Sequence, residues 1–286
     1  MKKIEDLICK RLSECVGISE LLAVYDGKPA VFIRTAPDDA DAKWDGEPYP
    51  RILVDLSQNE AMERQFEQGL KLTVLTSIEQ GVKPEDLETA ILDSMDFCFF
   101  SRRDTSLCAR WNRTEFSEFQ DKKLGCYIFD IMKFQNQQVQ LPDPVVTLNE
   151  WMKAAYPGAK IIGYDDMEEV WKSSEDIPAI YGRLESVTSG SYGDNWEVTW
   201  INAGIRLHIM SDRKSKSFLI RNISEKLLMK EKLIMNDGGP MFISKINYND
   251  TMNPLKNRQF FVECQYGVLR EEVEKEPIRK INIQEE

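Results

Sequence analysis

The residues best suited to chemistry in this sequence are clustered carboxylates. Asp38, Asp39 and Asp41 stand together in a polar loop, and Asp165 and Asp166 form a second group. Clustered carboxylates can bind a divalent cation, so a metal-dependent enzyme is one interpretation of the first group. Neither group has the spacing or the turn glycine of an EF-hand loop, and a solvated acidic loop is the alternative.

Nucleophilic catalysis has little support in the sequence. The single histidine, His208, lies in the middle of a predicted strand, where a structural role is expected. There is no G-x-S-x-G turn, no phosphate-binding glycine loop and no H-E-x-x-H pair. The six cysteines form no C-x-x-C pair, which favours free thiols in a reducing compartment. We therefore expect no enzyme activity, no cofactor and no bound metal.

Four aromatic residues stand in two long polar loops, at residues 35–49 and 187–197. Aromatic side chains are favoured at protein interfaces, and loops that carry function often present them. We predict that these four contact a partner; the alternative is that each ring folds back over its own sheet. The four are Trp44, Tyr49, Tyr192 and Trp196.

The elements that must position these loops occur twice in the chain. QGLKLTVLTS, from Gln68, resembles AGIRLHIMS, from Ala203, and the flanking segments keep nearly the same order and offset of about 135 positions. Each half also begins with an amphipathic helix. The corresponding segments are 49–56 with 177–186, 68–76 with 203–211, 84–96 with the helix around Ile223, 106–116 with 241–250, and 124–134 with 259–269.

This repeat predicts an α+β fold of two tandem similar domains, each a small mixed or antiparallel four-stranded sheet packed against two helices. The predicted domains span residues 1–138 and 146–272, joined by a polar segment with two prolines. Residues 273–286 are charged and are predicted to form a flexible C-terminal arm. Two unrelated α+β domains with generic patterning are the alternative.

The composition narrows the choice of partners. The chain has 286 residues, 42% of them hydrophobic, and a net charge of −11. It has no apolar run long enough to cross a bilayer, so no membrane partner is expected. The excess of acidic residues argues against binding to nucleic acid, and no sequence-specific nucleic acid is expected among its partners.

The first half resembles the phage tail terminator, or tail completion, family. The resemblance covers about residues 1–134 and is carried by AVFIRTAPDD from Ala30, with its Ala36-Pro37 pair, and by YPRI from Tyr49. It implies a structural protein that forms a ring on the tail tube, stops its growth and joins it to the head connector. Implied partners are further copies of the chain, the tail tube protein and the head–tail connector protein. The implied location is the virion tail at the head–tail junction, with host cytoplasm during assembly.

Two fused copies of a ring unit suggest how the ring is built. Three chains would make a pseudo-sixfold ring, whereas six chains would place the second domains in an outer or upper collar. The second half lacks a clear Ala-Pro element, so its role is left open. Two other functions remain: a tandem α+β scaffold or regulatory binding module unrelated to phage, and a metal-dependent enzyme using Asp38, Asp39 and Asp41.

Overall fold

The structure is a computed structural model of the chain. It describes residues 4–57, 68–79, 81–102, 105–135, 138–189, 197–211, 213–249, 251–255 and 259–270. The predicted C-terminal arm, residues 273–286, lies outside the described residues, as do two of the predicted interface residues, Tyr192 and Trp196. The domain limits at residues 138 and 146 stay a prediction.

The fold is mostly β, which corrects the predicted α+β class. Strand accounts for 45% of the structure and helix for 22%. Two curled half-barrel sheets, one of seven strands and one of six, replace the predicted small four-stranded sheets packed against two helices. The prediction was wrong because it counted only the long alternating strands and omitted the short strands that widen each sheet.

In the first half, the described residues form three helices, one 3₁₀ turn and eight strands. These are α1 (Ile4–Glu14), α2 (Val16–Ser19), β1 (Val24–Tyr25), β2 (Lys28–Pro29), β3 (Val31–Ile33), β4 (Arg51–Ser57), β5 (Gln68–Ser77), the 3₁₀ turn (Pro84–Leu87), α3 (Glu88–Met95), β6 (Cys98–Arg102), β7 (Thr105–Phe119) and β8 (Lys122–Gln135). Strands β1 and β2 form a separate hairpin, and the other six belong to the first large sheet.

The part of the second half that the structure describes forms two helices and seven strands. These are α4 (Pro144–Ala155), β9 (Lys160–Ile161), β10 (Val170–Lys172), β11 (Ala179–Ser189), β12 (Val198–Met210), α5 (Arg213–Leu228), β13 (Leu233–Ile234), β14 (Pro240–Tyr248) and β15 (Phe260–Leu269). All of these strands except β10 belong to the second large sheet.

The two large sheets share one topology. The first has the order β10-β6-β7-β8-β5-β4-β3, and the second has the order β13-β14-β15-β12-β11-β9. In each sheet the last pair in this order, β4 with β3 and β11 with β9, is parallel, and the remaining pairs are antiparallel. Strands β3, β4, β5, β6, β7 and β8 therefore correspond to β9, β11, β12, β13, β14 and β15. This shared order supports an internal duplication.

The pairing register follows the repeat as well. Leu72 lies opposite Val54 in the first sheet, and Leu207 lies opposite Gly182 in the second. The repeated glycines agree with the sequence match to within two positions: Gly69 lies opposite Asp130 on β8, and Gly204 lies opposite Glu263 on β15, two residues before the position matched to Asp130. A shift of two residues keeps side chains on the same face. A slip of one residue would turn the apolar set to the other face, so the matching register means that both sheets bury the same face.

Local sequence signals start the helices. The Asp143 carboxylate accepts hydrogen bonds from the backbone N–H groups of Val145 and Val146, at 2.9 and 3.1 Å, and Pro144 occupies the first turn of α4. Such a cap is worth about 1 kcal/mol. Before α3, the Asp86 carboxylate accepts from the backbone N–H of Lys83 at 2.8 Å. These caps fix where each helix meets its sheet.

Each sheet buries its inner face under the helices of its own half. Helix α1 buries Leu7, Ile8 and Leu12 against the first sheet, which confirms the apolar stripe predicted for the N-terminal helix. Helices α4 and α5 cover the second sheet in the same way. The buried α4 and α5 side chains in that core are Val145, Leu148, Met152, Ile220, Ile223 and Leu227.

A third apolar core, here called the joint, connects the two halves. It lies between the outer faces of the two sheets. The first sheet contributes the part of its outer face near the C-terminal end of β4, and the second sheet contributes the part near the N-terminal end of β11. Opposite ends of two corresponding sheets are therefore in contact, as in a head-to-tail arrangement. The joint consists of Phe97, Phe99, Cys108, Met132 and Phe134 from the first half and Ile162, Trp171, Ala179, Tyr181, Met210 and Leu255 from the second.

Backbone pairing also crosses the joint. Strand β10 of the second half pairs with β6 of the first sheet, with Trp171 opposite Phe99. The two rings stack at 4.6 Å between centroids, and Phe134 meets Tyr181 edge-on at 4.8 Å. At the rim, the Asn253 amide donates to the Asp130 carboxylate at 3.2 Å. Strand pairing, stacked rings and polar contacts together join the halves into one structural unit.

Candidate functional site

Tyr49, one of the predicted interface residues, is buried in a charged cluster at the end of loop 35–49. Its hydroxyl donates to the Asp39 carboxylate at 2.6 Å, and the guanidinium of Arg51 donates to the same carboxylate at 2.7 Å. The Lys122 ammonium donates to Asp39 at 3.2 Å and lies 4.8 Å from the centre of the Tyr49 ring. The cluster therefore ties the loop to β4 and to the start of β8.

The cluster changes the acidity of its members. Partial burial alone would raise the pKa of Asp39, but hydrogen bonds from Tyr49 and Arg51 outweigh it, and the pKa is lowered. Burial and the hydrogen bond to Asp39 raise the pKa of Tyr49. Asp39 is thus held as a carboxylate by cations and a hydroxyl of its own chain, an arrangement that stabilises the loop.

Trp44, the second described interface candidate, is half-buried in an aromatic group. Its ring lies 4.9 Å from Tyr25 and 5.8 Å from Phe32, and the Tyr25 and Phe32 rings are 5.6 Å apart, all edge-on. Its indole N–H donates to the backbone oxygen of Asp38 at 2.9 Å. Trp44 and Tyr49 thus pack against their own half, and whether Trp44 also contacts a partner stays a prediction.

The acidic loop does not assemble a metal site in the described residues. The Tyr25 hydroxyl donates to the Asp41 carboxylate at 3.0 Å, and Asp39 faces Arg51 and Lys122. In the part of the chain that the structure describes, no group of three or more His, Cys, Asp or Glu side chains is placed to hold a metal ion. The second acidic group is likewise engaged, since Asp165 pairs with Lys153 at 2.7 Å.

The single histidine lies next to Tyr181 of the joint. His208 is fully buried opposite Tyr181, and its Nδ1 faces the backbone oxygen of Pro254, so Nδ1 carries the proton of the neutral ring. Its Nε2 is buried with no hydrogen-bond partner among the described residues. Burial, with a smaller contribution from the charges of Arg183 and Arg206, lowers the pKa of His208 to about 4. This confinement fits the structural role predicted from the sequence.

The joint was not predicted from the sequence. Phe99, Phe134, Trp171 and Tyr181 supply its rings, and none was singled out. One signal was available, because residues 97–100 read as an unbroken apolar run, which is typical of a strand covered on both faces. Alternation alone identifies only one buried face, so the second contact of β6 needed this extra observation.

The outer face of the first sheet carries a second candidate surface, here called the open face. It comprises Leu53, Thr73, Leu75, Leu124 and Cys126, which are neighbours in the pairing register of β4, β5 and β8. All five are only partly buried, and none belongs to an apolar core. These neighbouring and partly exposed side chains make the open face a candidate surface for contact with another protein.

A cavity of about 570 Å³ lies between the linker, α4 and the inner face of the second sheet. Its walls include Gly182, Leu184, Ile201 and Tyr266. Gly182 stands where the first sheet has Val54, and a side chain there would meet Leu207 and α4. Burial raises the pKa of Tyr266, which keeps its hydroxyl neutral. The walls combine apolar side chains with the charged side chains of Asp143 and Arg183.

Comparison of the chain with protein-family models, curated proteins and solved structures gives no match. The resemblance to the tail terminator family rests on the residues quoted for it, Ala36-Pro37 and Tyr49 to Ile52. Among the described helices, none has both the length and the apolar character needed to cross a bilayer.

Proposed function

We propose that this protein is a structural assembly protein that works through its surfaces and carries out no catalysis. The observation that carries the proposal is the joint, where two similarly built halves pack head to tail across a buried aromatic core. A head-to-tail contact uses two different surfaces, so the same contact can be repeated by further units until a ring closes or a filament grows.

The specific role that we propose is that of a phage tail terminator: a ring of these chains caps the tail tube and joins it to the head connector. The duplicated sheet supports this role, since three chains would supply six similar units to a sixfold tube. The engaged carboxylates of Asp39 and Asp41 and the buried His208 support the absence of catalysis.

The test uses the tail tube protein encoded in the same genome. Tubes assembled from it are mixed with the purified chain and viewed by electron microscopy. We expect a ring at one end of each tube and an end to tube growth once the ring is bound. Tubes that keep growing, or a genome that encodes no tube protein, would contradict the tail role and favour a scaffold or binding module unrelated to phage.

A further inference from the structure

Corresponding positions of the two sheets are covered in one half and partly exposed in the other. In the second sheet Tyr181 lies opposite His208. Tyr181 is buried against Phe134 of the first half, and His208 is fully buried beside it. The corresponding pair in the first sheet is Leu53 opposite Thr73, which belongs to the open face and is only partly buried. The first sheet thus presents the surface that the second sheet uses in the joint.

The second sheet presents the complementary surface, here called the far face. Phe242 and Gln265 lie opposite each other there, at the positions that Cys108 and Met132 occupy in the joint. Gly267 stands at the position of Phe134, and a Cβ on it would lie 3.9 Å from the Trp200 ring. The far face consists of Trp200, Phe242, Gln265 and Gly267, all partly exposed.

We propose that the far face of one chain docks on the open face of a second copy and repeats the contact made at the joint. The inference rests on the proposed function and names the surfaces through which its subunits associate. The occupant is a second copy because the joint already shows this kind of end-to-end contact between two sheets of this topology. Trp200 would supply the aromatic contact that Phe134 makes with Tyr181.

The contact between chains is weaker than the joint. In the joint, Trp171 lies on β10, which pairs with β6 of the other half. Trp44 occupies the corresponding loop in the first half, but it forms an antiparallel bridge with Tyr25 of the chain's own β1–β2 hairpin. The β1–β2 hairpin therefore pairs with the loop that would otherwise supply a strand to the neighbouring chain. Only the two sheet faces are left to hold the chains together. Association is therefore reversible and depends on protein concentration.

The test exploits the two different surfaces of a head-to-tail contact. Leu75→Glu damages the open face and Phe242→Glu damages the far face, while each variant keeps one intact surface. By light scattering, the wild type associates as concentration rises, and each variant alone associates about a hundredfold more weakly or not at all. A mixture of the two variants forms a dimer and nothing larger, because one intact open face meets one intact far face.

A matched control and a folding check accompany these variants. Phe218→Glu changes an apolar side chain that is 73% exposed on α5, away from both faces, and leaves association at the wild-type level. Circular dichroism and thermal unfolding establish that each variant is folded. If Leu75→Glu unfolds, Thr73→Arg replaces it on the same face.

The outcomes separate this inference from the proposed function. A wild type that stays monomeric at all concentrations, a variant mixture that stays monomeric, or association lost in the Phe218→Glu control would overturn the inference. Wild-type association that both face variants retain would also overturn it. None of these results decides whether the chain caps tail tubes, since the tube experiment measures that separately.

Discussion

At the scale of single residues, burial decides what the reactive groups of this protein do. His208 lies beside Tyr181 of the joint, and the half-buried ion pair of Arg206 with Glu185, at 2.6 Å, is on the neighbouring part of the same face. Burial lowers the pKa of His208 to about 4, whereas the unfolded chain titrates near 6.5. The ring therefore stays neutral in the folded protein where the unfolded chain takes up a proton.

Stability should fall as the pH drops from about 6.5 to 4. In this window the unfolded state binds a proton at His208 and the folded state does not, so the unfolded state is favoured by roughly 3 kcal/mol at the acid end. His208→Gln removes this contribution, while the carboxylates titrate in both proteins. Urea unfolding across this pH range measures the difference, and parallel curves for the two proteins would contradict the assignment.

At the scale of elements, strands and helices were predictable where local periodicity specified them. Strand β4 alternates Ile52, Val54 and Leu56 toward the core, and α4 shows its cap in Asp143-Pro144. Strands β6, β10 and β13 were not predicted, because their pairing depends on distant segments and not on their own pattern. The contacts of Tyr49 in its loop could not be predicted either, since nothing in the residue spacing indicates that Asp39 would contact two cations.

The 3₁₀ turn before α3 depends on a glycine in β8. A Cβ on Gly125 would lie 2.7 Å from the Cβ of Pro84 and 3.2 and 3.3 Å from the rings of Phe116 and Tyr127. The Tyr127 hydroxyl donates to the backbone oxygen of Pro84, which holds the turn against the strand. A side chain at position 125 therefore forces the turn and the sheet apart.

Gly125→Ala should lower the free energy of unfolding by about 1–3 kcal/mol, as expected for overpacking in a tight contact. Gly69→Ala is the matched control, because its nearest neighbour, the Ser57 Oγ, is 3.5 Å from the added Cβ. We expect Gly69→Ala to be neutral, or stabilising by about 0.4–1 kcal/mol through the unfolded chain. Chemical denaturation measures both variants, and equal losses would show that the contact with Pro84 is not the cause.

At the scale of the whole molecule, the joint couples the two halves. The first and second apolar cores lie inside the two sheets, and the third lies between them. Strand β10 and its Trp171 complete the edge of a sheet that belongs to the other half. Unfolding one half would expose the rings of the other, so we expect both to unfold together.

Trp171→Ala should lower the stability of the entire chain by about 3 kcal/mol, since it removes a buried ring that stacks on Phe99. Calorimetry should still show one transition, shifted to lower temperature. Trp44→Ala is the matched control. Because the Trp44 ring is only half-buried, this substitution should lower the stability by less than Trp171→Ala. Two separate transitions in the wild type would contradict the coupling.

The pairing of β10 with β6 across the joint also matters during synthesis of the protein. Strand β6 leaves the ribosome well before β10, the strand that covers its edge. The ribosome adds roughly 5–20 residues per second, so the edge of β6 remains uncovered for several seconds. An unpaired strand edge is a template for wrong pairing. The nascent first half is therefore the form of this protein most prone to aggregation, and it is protected only after β10 of the second half has been synthesised and has paired with β6.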